Sequence, residues 1–265
     1  MTLQARIGIV GGNGWLGNAI ARAAVAAGAV AADRLTLSSR SGRGGADAIP
    51  DVRWTKDNGE LVERSDVVVL SVRPDQFPEV GIAARGKLVV SVMAGVPARV
   101  IAQRTEAGEV VRAMPNAAAA IRRSFTPWYA TPSVSTASKQ IVQALLEACG
   151  DAAEVPLEAH VDYCTGMTGS GAAFPALLAQ AMIAHAVAQG LPAAFAERAA
   201  VGVVAGAGQL LVGGDGVPAR IVQEMIDYRG TTAAGLQAMM DHGFVGSVAA
   251  GLEAAAVKAA ALASG

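Results

Sequence analysis

Short apolar runs recur through the first half of the chain, separated by longer stretches with helical character. The runs are Arg6–Val10, Arg34–Ser38, Asp66–Val72, Lys87–Met93 and Glu109–Ala113, with a weaker one at Phe125–Ala130. Most are rich in β-branched side chains and apolar at successive positions, the pattern of strands buried on both faces. Ala-rich segments such as Asn18–Ala27 and Ala98–Ala107 predict helices between them. Strand and helix in alternation imply a mainly parallel sheet covered by helices.

The texture changes near Gly150. A short extended piece at Ala153–Val155 meets Pro156, and the remainder reads as helices over His160–Cys164, Ala172–Gln189, Ala193–Leu211, Pro218–Asp227, Thr231–His242 and Phe244–Leu262. Stops fit at Gly190, Gly213-Gly214 and Gly243, and Pro192 and Pro218 suit first-turn positions. The pattern predicts an α/β domain over residues 1–155 and an all-helical domain over 156–265. Helices this rich in Ala, Gly and Val lack bulky side chains for a core of their own and should pack closely.

Composition sharpens this picture. Hydrophobic residues make up 52% of the 265, charged residues 16% and aromatics 4%, with a net charge of −1. Such a chain has ample apolar surface to bury, which excludes disorder. No uninterrupted apolar stretch reaches ~18 residues, so no membrane span is expected; Gln180 and His185 interrupt the longest candidate, Ala172–Val187. Neither a basic face nor stacking aromatics stand out, which argues against nucleic acid. The low charge suggests surface hidden against another subunit. Cys149 and Cys164 predict two buried thiols rather than a disulfide framework or a metal site. With no leader ahead of the strand at Arg6, the expected location is the cytoplasm.

The strand Ile7–Val10 runs into Gly11-Gly12-Asn13-Gly14-Trp15-Leu16-Gly17, where Gly12, Gly14 and Gly17 have the G-x-G-x-x-G spacing of dinucleotide-binding turns. Gly12 is expected to make the tight turn, Gly14 to admit the pyrophosphate, and Gly17 to let helix approach strand. Helix N-terminal amides then supply an anion site. At the end of the second strand, Ser38-Ser39-Arg40-Ser41-Gly42-Arg43 offers hydroxyls and guanidinium groups instead of the acidic residue usual for NAD. Arg40 beside Ser39 favours a 2′-phosphate, hence NADPH, with NADH possible. The plainer reading leaves Arg40 and Arg43 as solvated loop charges.

Further segments carry a resemblance to pyrroline-5-carboxylate reductases over nearly the whole chain. They are Asp66–Pro74, Ser91–Val96, Arg112-Ala113-Met114-Pro115-Asn116, His160-Val161-Asp162, Thr168–Phe174 and Gly230–Leu236. The resemblance implies an N-terminal Rossmann domain and a C-terminal helical domain that interlocks with a second copy, giving a homodimer or higher oligomer. It also implies reduction of the imine of 1-pyrroline-5-carboxylate to proline with NAD(P)H. By similarity Gly12, Asn13, Gly14, Trp15, Leu16 and Gly17 would hold the pyrophosphate. Ser39 with Arg40 would hold the adenosine phosphate, and Val72, Arg73 and Pro74 would line the adenine-ribose side. Ala94, Gly95 and Asn116 would lie near the nicotinamide, and the Thr232 hydroxyl would reach the imine nitrogen. No metal is required.

The chain departs from that family in places. The glycine loop is one residue longer, and Ala117-Ala118 replaces a Thr-Pro pair. The loop that in the family presents backbone N–H groups to the substrate carboxylate reads Asp227-Tyr228-Arg229-Gly230 instead of Ser-Pro-Gly-Gly. Either Arg229, with Gly230 and Thr231, clamps the carboxylate, or the pocket takes a different carboxylated imine or carbonyl compound, or Asp227 and Arg229 pair on the surface. An inactive NADP-binding regulatory protein is the reading from another functional class. A β-hydroxyacid dehydrogenase would need a Lys on the helix after Gly169-Ser170-Gly171, and that segment has none.

Overall fold

The computed structural model of the chain describes residues 2–45, 49–171, 173–213 and 218–262. It divides into two compact units, Met1–Gly171 with Glu253–Gly265, and Ala172–Leu252. The first unit opens with β1 (Ile7–Val10), α1 (Trp15–Ala26), β2 (Leu35–Ser38), β3 (Arg53–Thr55), α2 (Asn58–Glu63) and β4 (Val67–Leu70). It continues with β5 (Leu88–Ser91), α3 (Ala98–Thr105), β6 (Glu109–Ala113), β7 (Ser124–Ala130), α4 (Thr136–Glu147), β8 (Gly150–Glu154) and α5 (Glu158–Cys164).

The eight strands form one sheet in the order β3-β2-β1-β4-β5-β6-β7-β8, parallel from β3 through β6, with β7 antiparallel to β6 and β8 parallel to β7. The order 3-2-1-4-5-6 is that of the Rossmann fold. Alternate side chains of the central strands feed two cores. Ile7, Ile9, Leu37, Val67, Val69 and Val90 pack with α1 and α4 on one face. Val10, Val68, Leu70, Val89 and Val110 pack with Leu61, Phe77 and Ile101 on the other. Burial on both faces is why these strands read as unbroken apolar runs.

The edges are less apolar. β3 has only Thr55 buried. The six-residue α2 is held by its N-cap, Asp57, whose carboxylate accepts from the N–H groups of Gly59 and Glu60 at 2.8 and 3.3 Å. Cys149 is buried and its thiol is pushed up to about 11 by loss of solvation, against the opposing charge of Arg122. Cys164 is only half-buried, not the second buried thiol expected from the sequence, because it ends the short helix α5.

The second unit contains α6 (Ala173–Ala188), α7 (Ala193–Gly213), α8 (Pro218–Asp227) and α9 (Thr231–Asp241), and α10 (Phe244–Leu262) begins in it. Helix ends fall where glycine permits a left-handed residue, at Gly190 with φ +89° and Gly243 with φ +82°. Of the expected stop at Gly213-Gly214, Gly214 lies outside the described residues, as does Ala172 at the expected start of α6. α6 packs on α7 and α8 on α9. Ala179, Ala196 and Ala200 are buried, whereas Leu177, Phe195, Val203, Leu210 and Val245 are all more than half exposed.

Three stretches bear on the expectation of no membrane span. The stretches Glu158–Ala188, Ala193–Val212 and Phe244–Ala261 are long and apolar enough to cross a membrane by length and composition alone. The sequence criterion missed them because it asked for uninterrupted apolar runs, and isolated polar residues break each one.

Candidate active site

The strand order reverses between β1 and β4, which opens a crevice at their carboxyl ends, where ligands of such sheets bind. The glycine loop leaves β1 at that point and lies against Ser71, whose N–H donates to the Val10 carbonyl at 3.0 Å. Gly11, not Gly12, makes the tight turn. It has φ +86°, and a Cβ there would stand 2.3 Å from the Ser71 carbonyl oxygen. Gly12 is needed instead for passage over Leu37, whose Cβ would lie 2.8 Å from an added Cβ. At Gly17 an added Cβ would approach the Gly11 carbonyl oxygen to 2.6 Å, so its absence seats α1 against the strand end.

Gly14 is the N-cap of α1, with no side-chain cap and no acidic residue in the first turn. Its own N–H goes to the Gly11 carbonyl at 2.9 Å. The N–H groups of Trp15, Leu16 and Gly17 follow at the open end of the helix, where an anion is the natural partner. The Trp15 ring is 65% exposed on this loop, and Leu16 packs against the core.

At the end of β2, Ser39 donates its N–H to the Thr55 carbonyl at 3.1 Å and its hydroxyl to the Arg43 carbonyl at 2.9 Å. Ser39 therefore shapes the loop. Arg40 and Arg43 are exposed, and no carboxylate pairs with either among the described residues. Both guanidinium groups can donate to an anion.

Val72 lies over the turn, its Cγ1 3.2 Å from where a Gly11 Cβ would be, and Arg73 and Pro74 begin a 3-10 turn over Pro74–Glu79. Ala94 and Gly95 follow the end of β5, Gly95 with φ +71°. Asn116 follows β6 and is buried: its N–H donates to Ser124 Oγ at 3.0 Å and its Oδ1 accepts from the Ala118 N–H at 2.9 Å. Its Nδ2 donates to the Thr168 carbonyl at 2.9 Å, which ties β6 to the π-helical turn Thr165–Gly169. Gly12 to Gly17, Ser39 and Arg40, Val72 to Pro74, Ala94 and Gly95, and Asn116 thus all follow the carboxyl ends of β1, β2, β4, β5 and β6.

In the second unit, Arg229 takes a left-handed conformation, φ +57°, between α8 and α9. Gly230 is the N-cap of α9 and makes no side-chain cap, and Thr231 and Thr232 are exposed in the first turn. Tyr228 is exposed, its ring 3.1 Å from where a Gly230 Cβ would be. Asp227 accepts from Gln223 Nε2 at 2.9 Å instead of pairing with Arg229, which removes the plain surface ion pair as an account of this loop.

Residues 158–262 match the pyrroline-5-carboxylate reductase dimerisation family, and residues 6–95 match the family of NADP oxidoreductases, coenzyme F420-dependent. The chain is 30% identical over 259 residues to a pyrroline-5-carboxylate reductase of Synechocystis, covering 96% of each chain. It belongs to the pyrroline-5-carboxylate reductase family. A second relative of that name, from Pseudomonas aeruginosa, is 35% identical over 214 residues and 78% of each chain. The same fold occurs in the Plasmodium falciparum pyrroline carboxylate reductase solved with NADP bound, at TM-score 0.83, 21% identity and coverage of 99% of this chain and 100% of that one.

Two of the resembling segments meet in the structure in a way that spacing alone did not reveal. Arg112, ahead of Met114-Pro115-Asn116, is 2% exposed in the sheet. Its Nη2 meets Asp162 Oδ1 at 2.6 Å and its Nη1 meets Glu158 Oε1 at 2.9 Å, both from α5. The same Glu158 oxygen accepts from the Ala98 N–H at 2.7 Å, capping α3. A charged residue inside an otherwise apolar strand was the available signal, since a buried guanidinium demands paired acids.

Proposed function

We propose that this protein is an NADPH-dependent reductase that converts 1-pyrroline-5-carboxylate to proline. Its near full-length likeness to reductases of that name carries the reading. The uncapped α1 N-terminus at the strand-order reversal fits a pyrophosphate, and the Arg40 and Arg43 guanidinium groups fit a 2′-phosphate. When bound, the dinucleotide supplies a hydride at the nicotinamide C4.

The chain's own task is modest, because a cyclic imine protonated at nitrogen accepts hydride readily. The imine carbon gains the hydride, the C=N π electrons pass to the protonated nitrogen, and the product is a secondary amine. The residues must align the ring, hold its carboxylate and exclude water. We assign the imine nitrogen to the Thr232 hydroxyl, and the carboxylate to Arg229 with the Gly230 and Thr231 N–H groups. The Asp227-Tyr228-Arg229 loop favours a second reading, in which a different carboxylated imine is the substrate. Steady-state assay with 1-pyrroline-5-carboxylate and NADPH separates the two. A turnover number of about 10 s⁻¹, the enzyme median, supports proline synthesis, and one far below ~1 s⁻¹ directs the search to other carboxylated imines.

Arg40→Ala is expected to raise the dissociation constant of NADPH by about 10- to 100-fold, as for loss of a charge-assisted hydrogen bond, and that of NADH by less than about twofold. Titration by nicotinamide fluorescence measures both, and equal losses would show that Arg40 does not read the phosphate. The apolar surface of the helical unit is covered, in this reading, by a second copy. Light scattering at micromolar concentration should then give at least twice the 26.6 kDa chain mass, and a stable monomer would refute it. The same reading puts the enzyme in the cytoplasm, where its two free cysteines stay reduced.

A further inference from the structure

Asn13 sits in the glycine loop between Gly12 and Gly14, yet its side chain turns to a loop thirty residues away in sequence. Its Nδ2 donates to the Arg43 carbonyl at 2.9 Å, and its Oδ1 accepts from the Gly45 N–H at 3.1 Å. One end of the amide needs an acceptor and the other a donor, so this pair of partners defines its orientation. Asn13 thereby joins the segment that faces a pyrophosphate to the segment that follows β2.

The Arg43 carbonyl gathers three donors at once. Besides Asn13, Ser39 Oγ lies at 2.9 Å and Ser41 Oγ at 3.3 Å. The turn is closed by the Gly42 N–H on the Ser39 carbonyl at 3.0 Å, with Gly42 at φ +68°. An acceptor that would repel a phosphate is thus consumed inside the loop. Among the described residues of this loop the exposed charges are cationic: Arg40 lies within the turn and Arg43 directly follows it.

We propose that Asn13 is a positioning residue for cofactor choice. It fixes the Ser39–Gly45 turn so that Arg40 and Arg43 are already gathered for the 2′-phosphate before the dinucleotide arrives. The inference rests on the NADPH reading above. A loop ordered in advance spends less of the phosphate contacts on its own ordering, so the benefit falls on the cofactor that carries the phosphate. Asn13 lies on an exposed loop, and its replacement removes no core packing.

The test compares NADPH and NADH binding by fluorescence titration in the wild-type protein, Asn13→Ala, Arg40→Ala and the double variant. Asn13→Ala should weaken NADPH by about five- to tenfold, the loss of one or two hydrogen bonds, and leave NADH within about twofold. In the Arg40→Ala background the same substitution should weaken NADPH by only about two- to threefold, because Arg43 alone is left to gain from the ordered turn. Hydrogen exchange of the cofactor-free protein should quicken across Ser39–Gly45 in Asn13→Ala. Equal weakening of both cofactors would make Asn13 a pyrophosphate contact and overturn the proposal, as would no weakening or an unchanged effect beside Arg40→Ala. Wild-type protein that binds NADH as tightly as NADPH overturns the cofactor reading itself, a failure visible before any variant is made.

Discussion

Removing both acids that face Arg112, by Glu158→Ala with Asp162→Ala, is expected to cost the N-terminal unit about 3–5 kcal/mol, the penalty for leaving a buried charge without its partners. The guanidinium is 2% exposed, whereas the Glu158 and Asp162 side chains are 32% and 29% exposed. The two halves of the cluster therefore respond differently. With the acids gone, a cation stays in the interior, its Nε already without a hydrogen-bond partner among the described residues, and the Ala98 N–H loses its cap. With Arg112→Met the carboxylates turn to water, and the cost falls to about 1–2 kcal/mol, an ordinary core substitution. Urea unfolding followed by tryptophan emission measures this unit selectively, because Trp15, Trp54 and Trp128 all lie in it. If Arg112→Met proves the more damaging change, the cluster's weight lies in packing and not in charge. The double variant should also slow turnover, since α5 leads into the turn whose Thr168 carbonyl is bound by Asn116.

That cluster also marks where the sequence stops being legible. β1, β4, β5 and β6 were readable because each sends apolar side chains into two cores, and β2 because Leu35 and Leu37 alternate with the buried Thr36 and Ser38. The edge strand β3 has only Thr55 buried, and its Arg53 and Trp54 carry no apolar run to read. α2 had a signal in Asp57, but six residues containing a glycine make no helical period. α4 has its N-cap in Ser135, which accepts from the Ser138 N–H at 3.1 Å, between polar neighbours that mask the buried Val142, Leu145 and Leu146. In the glycine loop, spacing gave the tight turn to Gly12, whereas the positive φ falls at Gly11. A motif records which positions are small, whereas φ +86° at Gly11 is set by how β1 meets Ser71. The partners of Asn13 and Arg112 were beyond reach because they depend on segments 30 to 50 residues away. Low charge was a signal of apolar surface, and Leu177, Phe195 and Leu210 are exposed on the helical unit.

Thr232→Ala should lower turnover by about two orders of magnitude, the lower range for loss of a positioned proton-handling group, with NADPH affinity changed less than about twofold. The expectation separates chemistry from folding because of where Thr232 stands. Gly230 caps α9 through its backbone alone, and no side chain completes the cap. Thr232 is exposed in the first turn, and alanine there is a better helix former than threonine. The substitution therefore leaves α9 intact and deletes one hydroxyl. That hydroxyl is assigned the imine nitrogen in a mechanism that has no His–Asp or Lys–Tyr pair to share the task, so its loss should reach the chemical step, equivalent to about 2.7 kcal/mol in the barrier. Thr232→Ser keeps the hydroxyl and should recover most of the rate, while Thr231→Ala, which leaves its backbone N–H in place, should change turnover less. Single-turnover oxidation of bound NADPH on mixing with 1-pyrroline-5-carboxylate measures the step directly. Unchanged turnover in Thr232→Ala would take Thr232 out of the reaction and leave hydride transfer to alignment and solvent protons alone.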